Sequence, residues 1–473
     1  MEEGKNIDEA KFPLQGAEGV KRVFFLGIGG IGMSALARYF NEKGVAVSGY
    51  DKTETVLTKK LEAEGIAVHY EDNIEFIDKA AELVVYTPAV PKDHKELNYF
   101  LENNYNLVKR SEVLGAITND TYNICIAGTH GKTTTSTMVA HILRHSGYGC
   151  NAFLGGIAVN YDSNFWSQIP TQSGSSDKNV SVVEADEYDR SFLRLSPDVA
   201  IISSMDPDHL DIYGTAENME QAFIDFSARI KPGGLLLSKY GLKRTDDLKA
   251  HEHLTFHLHN ENASVYAANI KMINGSYQFD VLMQYWELRD VVLNMGGLHN
   301  IENMIAAISV AHYLEIDNNK IREAVANFRG VKRRFEYIVK NEEQVMVDDY
   351  AHHPEELRAL INGAKELFPD KKCTVIFQPH LFSRTRDLAD GFAETLDLAD
   401  ELILLPIYPA RELPVEGVNS EMILNKMKNN NKRVLDKDEL LEWIKNNKTE
   451  LLITAGAGDI DTLVEPIKEL ITG

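Results

Sequence analysis

Short apolar runs rich in β-branched and aromatic residues alternate with segments of helical period along most of the chain. That is the pattern of parallel strands joined by crossover helices. The first run, Arg22 to Gly27 (RVFFLG), precedes a helical segment from Ile31 to Lys43, and further strands are expected at Ala46 to Asp51 and Glu82 to Tyr86. A second block opens with Tyr122 to Ala127 (YNICIA) and a helix from Lys132, followed by strands at Val180 to Ala185 and Val199 to Ser203. A third begins near Gly330, with strands at Gln344 to Tyr350, Cys373 to Phe377, Glu401 to Leu405 and Leu451 to Thr454, a helix from Pro354 and a last helix from Asp459. Thr118 to Asp120 reads as a linker, and Tyr161 to Asn179, rich in Ser, Gln and Asn, as a surface loop. The expected class is α/β, with three units in series over residues 1–119, 120–329 and 330–473.

Composition narrows the partners. The chain's 473 residues suit about three domains. Acidic side chains number 71 against 49 basic ones, a net charge of −22, and such a field repels phosphate backbones and anionic lipid, which argues against nucleic acid and membrane surfaces. Three cysteines far apart fit a reducing compartment better than a disulfide framework. The N-terminus lacks the basic-then-apolar pattern of a signal peptide and no run approaches the ~20 apolar residues of a membrane span, so a cytoplasmic location is expected.

Two glycine loops carry chemistry. Gly27, Gly29 and Gly32 form G-x-G-x-x-G between a strand and a helix, where backbone amides can approach a pyrophosphate, and Asp51 ends the next strand, where a carboxylate can meet a ribose hydroxyl. The residues alone leave NAD, another pyrophosphate-linked nucleotide and a purely structural turn all open. Gly128-Thr129-His130-Gly131-Lys132-Thr133-Thr134 also lies between a strand and a helix. Glycine amides cradle phosphates there, lysine reaches the β and γ oxygens and threonine can take Mg²⁺, which marks a nucleoside-triphosphate site. It is shorter than G-x-x-x-x-G-K-[ST], because position 126 is Ile126. Glu184 ends the strand VSVVEA with Asp186, Glu187 and Asp189 behind it, placed to hold the metal. His209 is a candidate for a second metal, while His299 and Asn303 open a helix where asparagine can cap or read an adenine edge. A nicotinamide-dependent dehydrogenase would leave GTHGKTTT unexplained, and a non-catalytic nucleotide-binding regulator would not need Glu184.

LGIGGIGMS (Leu26 to Ser34), GTHGKTTT (Gly128 to Thr135), EADEYDRSF (Glu184 to Phe192), DHLDIYG (Asp208 to Gly214), HNIEN (His299 to Asn303), RRFE (Arg333 to Glu336), DDYAHHP (Asp348 to Pro354) and FQPHLFSRTR (Phe377 to Arg386) occur in the order of the Mur ligase blocks. The chain resembles that family over nearly its whole length, and its alanine-adding branch most. The resemblance implies an N-terminal Rossmann-like domain, a central P-loop ATPase-like domain and a C-terminal Rossmann-like domain. It also implies ATP-dependent ligation of L-alanine to the lactyl carboxylate of UDP-N-acetylmuramate through an acyl phosphate, in peptidoglycan precursor synthesis. A related ligase adding another amino acid or a peptide is the alternative. The first glycine loop, with Gly29, Gly30, Ile31, Gly32 and Asp51, would then bind the uridine nucleotide rather than NAD. Gly128 to Thr134 would bind ATP, with Thr133, Glu184 and His209 as Mg²⁺ ligands. His299 and Asn303 would meet adenine, Arg334 the phosphates and Asp349 the ribose. Tyr350, His352, Arg384 and Arg386 would serve the alanine pocket. Lys132, Glu184, His209, Arg334 and His352 would be catalytic, in a monomer or homodimer. Two departures are implied: related enzymes often carry arginine after FQPH, where this chain has Leu381, and Phe223 to Ile230 offers no lysine for the carbamylation that sister ligases use.

Overall fold

The structure, a computed structural model, describes residues 19–168, 178–208, 210–410 and 412–473. It falls into two compact units. One comprises residues up to Ile157, Tyr161–Tyr266 and Asn303–Ala324; the other comprises Ala158–Asn160, Ala267–Glu302 and Val325–Gly473.

The first unit holds two sheets. In one, Arg22–Leu26 lies at the centre between Ala46–Tyr50 and Leu83–Tyr86, with Ala67–His69 and Leu107–Lys109 at the edges, all parallel. Val23 to Leu26 are fully buried, as expected of a central strand covered on both faces. In the other, Tyr122–Ala127 lies between Val180–Glu184 and Val199–Ile202, also parallel. The carboxyl ends of these strands deliver both glycine loops and the acidic segment, where open α/β sheets bind ligands.

Two expectations are corrected here. Ser163–Trp166 is a strand with Asn164, Phe165 and Trp166 buried, so the Tyr161 to Asn179 segment is not all surface loop; residues 169–177 lie outside the described residues. The strand's one buried amide is partnered inside, where Asn164 Nδ2 donates to Ser34 Oγ at 3.0 Å and its Oδ1 accepts from Arg38, while apolar Phe165 meets Tyr39 edge-on at 6.0 Å. One continuous apolar cluster therefore runs from Phe25 of the first sheet and Leu36 and Phe40 of the helix Ile31–Glu42 to Phe153 and Val183 of the second sheet and Phe192 beyond it. The linker at Thr118 is likewise replaced, since the helix Arg110–Asn119 runs through it and Thr118 is buried, donating to Leu114 O at 2.9 Å.

In the second unit, Val345–Asp349, Leu451–Ala455, Cys373–Phe377, Glu401–Leu404 and Lys432–Val434 form a parallel sheet, with Glu336–Lys340 antiparallel at one edge. The hairpin Ser276–Met283 and Trp286–Leu293 also belongs to this unit. Asn274 and Gly275, both at positive φ, turn the chain into it, and Tyr337 Oη donates to Gly275 O at 2.9 Å.

Candidate active site

The first glycine loop is built around its own hydrogen bonds. Gly27, at φ +86°, and Ile28 both donate to Tyr50 O, and Gly30 donates back to Gly27 O at 3.1 Å, so Gly30 caps the helix Ile31–Glu42. Asp51 sits inside this loop, where its Oδ2 accepts from Gly29 N at 2.8 Å. A Cβ on Gly29 would stand 2.8 Å from that same oxygen, so glycine there is a packing requirement. Gly32 is cleared for a different group, the Arg110 guanidinium, whose Nη1 would lie 2.7 Å from a Cβ at that position.

The second loop runs from Tyr122–Ala127 into the helix Lys132–His145. Gly131 enters that helix at φ +80°, and a Cβ there would stand 2.8 Å from Asn303 Oδ1, which sets the Asn303 amide against the loop. Ser204, after the strand Val199–Ile202, bonds Thr129 Oγ1 and accepts from His130 N, each at 2.8 Å. Lys132 Nζ donates to Gly128 O and to Glu187 Oε1, both at 2.8 Å, and Thr133 Oγ1 donates to Glu184 Oε1 at 3.1 Å. The lysine side chain is 15% exposed and that of Glu187 1%. Burial pushes the Glu184 and Glu187 carboxyls above their ordinary range, while Lys132 pulls both down. Gly155 donates to Glu184 Oε2 at 3.0 Å, and any Cβ on Gly155 would collide with that carboxylate.

Thr133 and Glu184 offer hard oxygen atoms side by side, the donor type that would suit Mg²⁺. Among the described residues no group of three or more His, Cys, Asp or Glu forms a metal cluster. His209 lies outside the described residues.

In the second unit, Asp349 ends its strand with Oδ2 accepting from Phe335 N at 2.6 Å and Oδ1 from Ala351 N at 2.7 Å. Burial raises its carboxyl to about 6 and that of neighbouring Asp348 to about 7, the latter despite Arg333 and a 2.6 Å bond from Thr454 Oγ1. Exposed Arg334 lies over Tyr350, its Cζ 5.8 Å from the ring centroid. His352 meets Tyr350 edge-on at 5.3 Å and bonds Tyr350 O through Nδ1 at 3.0 Å, and its ring lies 6.4 Å from that of His380. Burial, with Arg384 and Arg334 nearby, lowers the His352 pKa. Arg384 Nη1 lies 3.3 Å from His380 Nδ1. Leu381, at φ +70°, starts the short helix Phe382–Asp387 that aims Arg384 at this group, whereas Arg386 is exposed and paired with Asp387 at 2.8 Å. His299 is exposed one turn before Asn303 on the helix Leu298–Tyr313.

Several site residues escaped the sequence reading. Glu187 was visible only as one of four acids, Gly155 and Ser204 lie in no motif, and Arg110 and Tyr408, whose ring stacks on His380 at 5.8 Å, carried no signal at all.

Comparisons with known proteins agree with this architecture. Family models described as Mur ligase family catalytic domain, Mur ligase middle domain and Mur ligase glutamate ligase domain match residues 22–122, 126–311 and 333–458. The chain is 47% identical over 456 residues to a UDP-N-acetylmuramate–L-alanine ligase of Cytophaga hutchinsonii, covering 95% of this chain and 97% of that one. It is also 47% identical to the enzyme of that name from Parabacteroides distasonis, covering 96% and 97%. The crystal structure of a UDP-N-acetylmuramate–alanine ligase from Thermotoga maritima matches with a TM-score of 0.79 and 28% identity, over 95% of this chain and 98% of that one. With three family domains matched in order and relatives this similar along nearly its full length, the chain belongs to the Mur ligase family.

Proposed function

We propose that the protein uses ATP to join L-alanine to the lactyl carboxylate of UDP-N-acetylmuramate, giving ADP, phosphate and UDP-N-acetylmuramoyl-L-alanine for peptidoglycan precursor synthesis. The observation that carries this reading is a phosphate loop with Lys132 and Thr133 held by Glu187 and Glu184, in a chain 47% identical over 456 residues to alanine-adding ligases. Residues 1–119 serve the uridine nucleotide, 120–329 ATP and 330–473 the amino acid.

A carboxylate is a poor electrophile, because its charge repels a nucleophile and its oxygen leaves badly. One carboxylate oxygen attacks the γ-phosphorus of ATP, the bond to the β–γ bridging oxygen breaks and ADP leaves. The neutral amine of alanine then attacks the acyl carbon, phosphate departs and the nitrogen loses its extra proton. Lys132 and the loop amides stabilise charge on the transferring phosphoryl group. Thr133 and Glu184 are the residues that would hold Mg²⁺, with His209 at a second ion, and a bound ion supplies charge neutralisation between the two anionic reactants. Asn303 and His299 serve adenine, Asp349 the ribose and Arg334 the phosphates. The Asp349 carboxylate is already oriented as an acceptor by two backbone amides. Tyr350, His352 and Arg384 form the alanine pocket, with Arg384 at its carboxylate, since a guanidinium fork matches that group. Phosphate release with UDP-N-acetylmuramate against a panel of amino acids tests the assignment: release should depend on both substrates and be fastest with L-alanine. Equal or faster release with another amino acid or a peptide would reassign the enzyme within the family.

A further inference from the structure

Arg110 holds a place that neither glycine loop demands. It opens the helix Arg110–Asn119 immediately after the edge strand Leu107–Lys109 of the first sheet. Its guanidinium lies across Gly32, and a Cβ there would stand 2.7 Å from Nη1, 3.2 Å from Cδ and 3.3 Å from Cζ. Its Nη2 is 3.7 Å from Asp186 Oδ2, beyond hydrogen-bond length, and the side chain is 24% exposed, so its donor fork is not committed to Asp186. One cation thus spans the end of the uridine-type loop and the acidic segment. Arg110, Ser111, Leu114, Glu184, Asp186 and Ser191 line a narrow crevice between them, and Glu184 is the residue that accepts from Thr133 of the phosphate loop.

We propose that Arg110 grips the lactyl carboxylate of the acceptor and positions it at the mouth of this crevice for phosphoryl transfer; the inference rests on the substrate assignment above. The acceptor is anionic at both ends. Its diphosphate belongs at the glycine loop and the N-terminus of the helix Ile31–Glu42, so its carboxylate lies at the far end of the sugar. That carboxylate must approach Glu184, Asp186 and Glu187 in a chain of net charge −22. Uncompensated, it would be repelled. A guanidinium meets it with two parallel donors, a geometry lysine cannot reproduce. Glycine at position 32 is the space that lets the fork lie there.

The test compares two ligands on the full-length chain by calorimetric titration. UDP-N-acetylglucosamine keeps the uridine, diphosphate and sugar of UDP-N-acetylmuramate but lacks the lactyl group. Arg110→Gln should weaken UDP-N-acetylmuramate roughly 10- to 100-fold, the span expected for a lost charge-assisted pair, and leave UDP-N-acetylglucosamine nearly unchanged. Arg110→Lys should lose less, and the KM for ATP should hold in both. Equal weakening of the two ligands would hand Arg110 to the diphosphate and overturn the proposal. Unchanged binding of both would make it a structural partner of Asp186 and overturn it equally. If the unaltered chain bound neither ligand, the substrate assignment itself would fall, a result distinct from either.

Discussion

Replacing Lys132 with alanine strips the counter-ion from a carboxylate that water does not reach. The Glu187 side chain is 1% exposed, lies 2.8 Å from Lys132 Nζ, and is already held above the ordinary carboxyl range by burial. Breaking a buried pair from one side costs about 3–5 kcal/mol. Here the penalty has a ceiling, because Glu187 can take up a proton instead: from pH 7 and an unfolded value near ~4.3 that uptake costs about 3.7 kcal/mol. Lys132→Ala should therefore destabilise the first unit by about 3 kcal/mol at pH 7. The sign with pH follows from the raised carboxyl. The loss should grow as pH rises above the unfolded value and vanish below it, so it should shrink steadily from pH 7 to pH 4. Adding Glu187→Gln should restore most of the stability at pH 7 without restoring ligation, since the lysine is still missing from the phosphates. Thermal and urea unfolding of the two variants at pH 5 and 7, with phosphate release measured alongside, separates these effects. Equal destabilisation of the single and double variants, or a loss independent of pH, would refute the buried-pair reasoning.

Glu184→Gln should raise the Mg²⁺ concentration needed for half-maximal phosphate release at least ~10-fold, because one hard anionic donor beside Thr133 is lost; an unchanged Mg²⁺ titration would move the metal elsewhere. Arg384→Lys should raise the KM for L-alanine by ~10-fold or more with those for ATP and UDP-N-acetylmuramate steady. Arg386→Lys should change none of them, since Arg386 is exposed and paired with Asp387; steady-state kinetics with each substrate varied decides. Asp348, raised to about 7 by burial, is more costly to fold when ionised, so its contribution to the second unit is most favourable near pH 4 and falls as pH rises to 7. Asp348→Asn should flatten that part of a Tm-versus-pH curve, and a wild-type curve rising over this interval with an unchanged variant would contradict it.

Much of this protein is legible locally. The strand Tyr122–Ala127 and the helix starting at Lys132 fall where apolar runs and the glycine loop put them, because a strand buried on both faces is largely apolar, as Ile124 to Ala127 are, and a phosphate loop sits at its carboxyl end. Lys132 and Thr133 stand out by their place at a strand-to-helix turn, and Glu184 by its place at the end of a buried strand. The antiparallel hairpin from Ser276 to Leu293 was not read, although Asn274-Gly275 and an alternating pattern precede and mark it. The strand Ser163–Trp166 is hidden from any local window because Asn164 finds its partners Arg38 and Ser34 126 and 130 positions away. Only the tertiary structure could pair Lys132 with Glu187 across 55 positions, seat Glu184 against Gly155, or lay Arg110 over Gly32. Composition and period report what a residue prefers beside its neighbours along the chain. Which cation meets which carboxylate, and which glycine must be small, is settled by groups brought together through packing, where burial turns a common acidic run into one carboxylate paired with Lys132 and one accepting from Thr133.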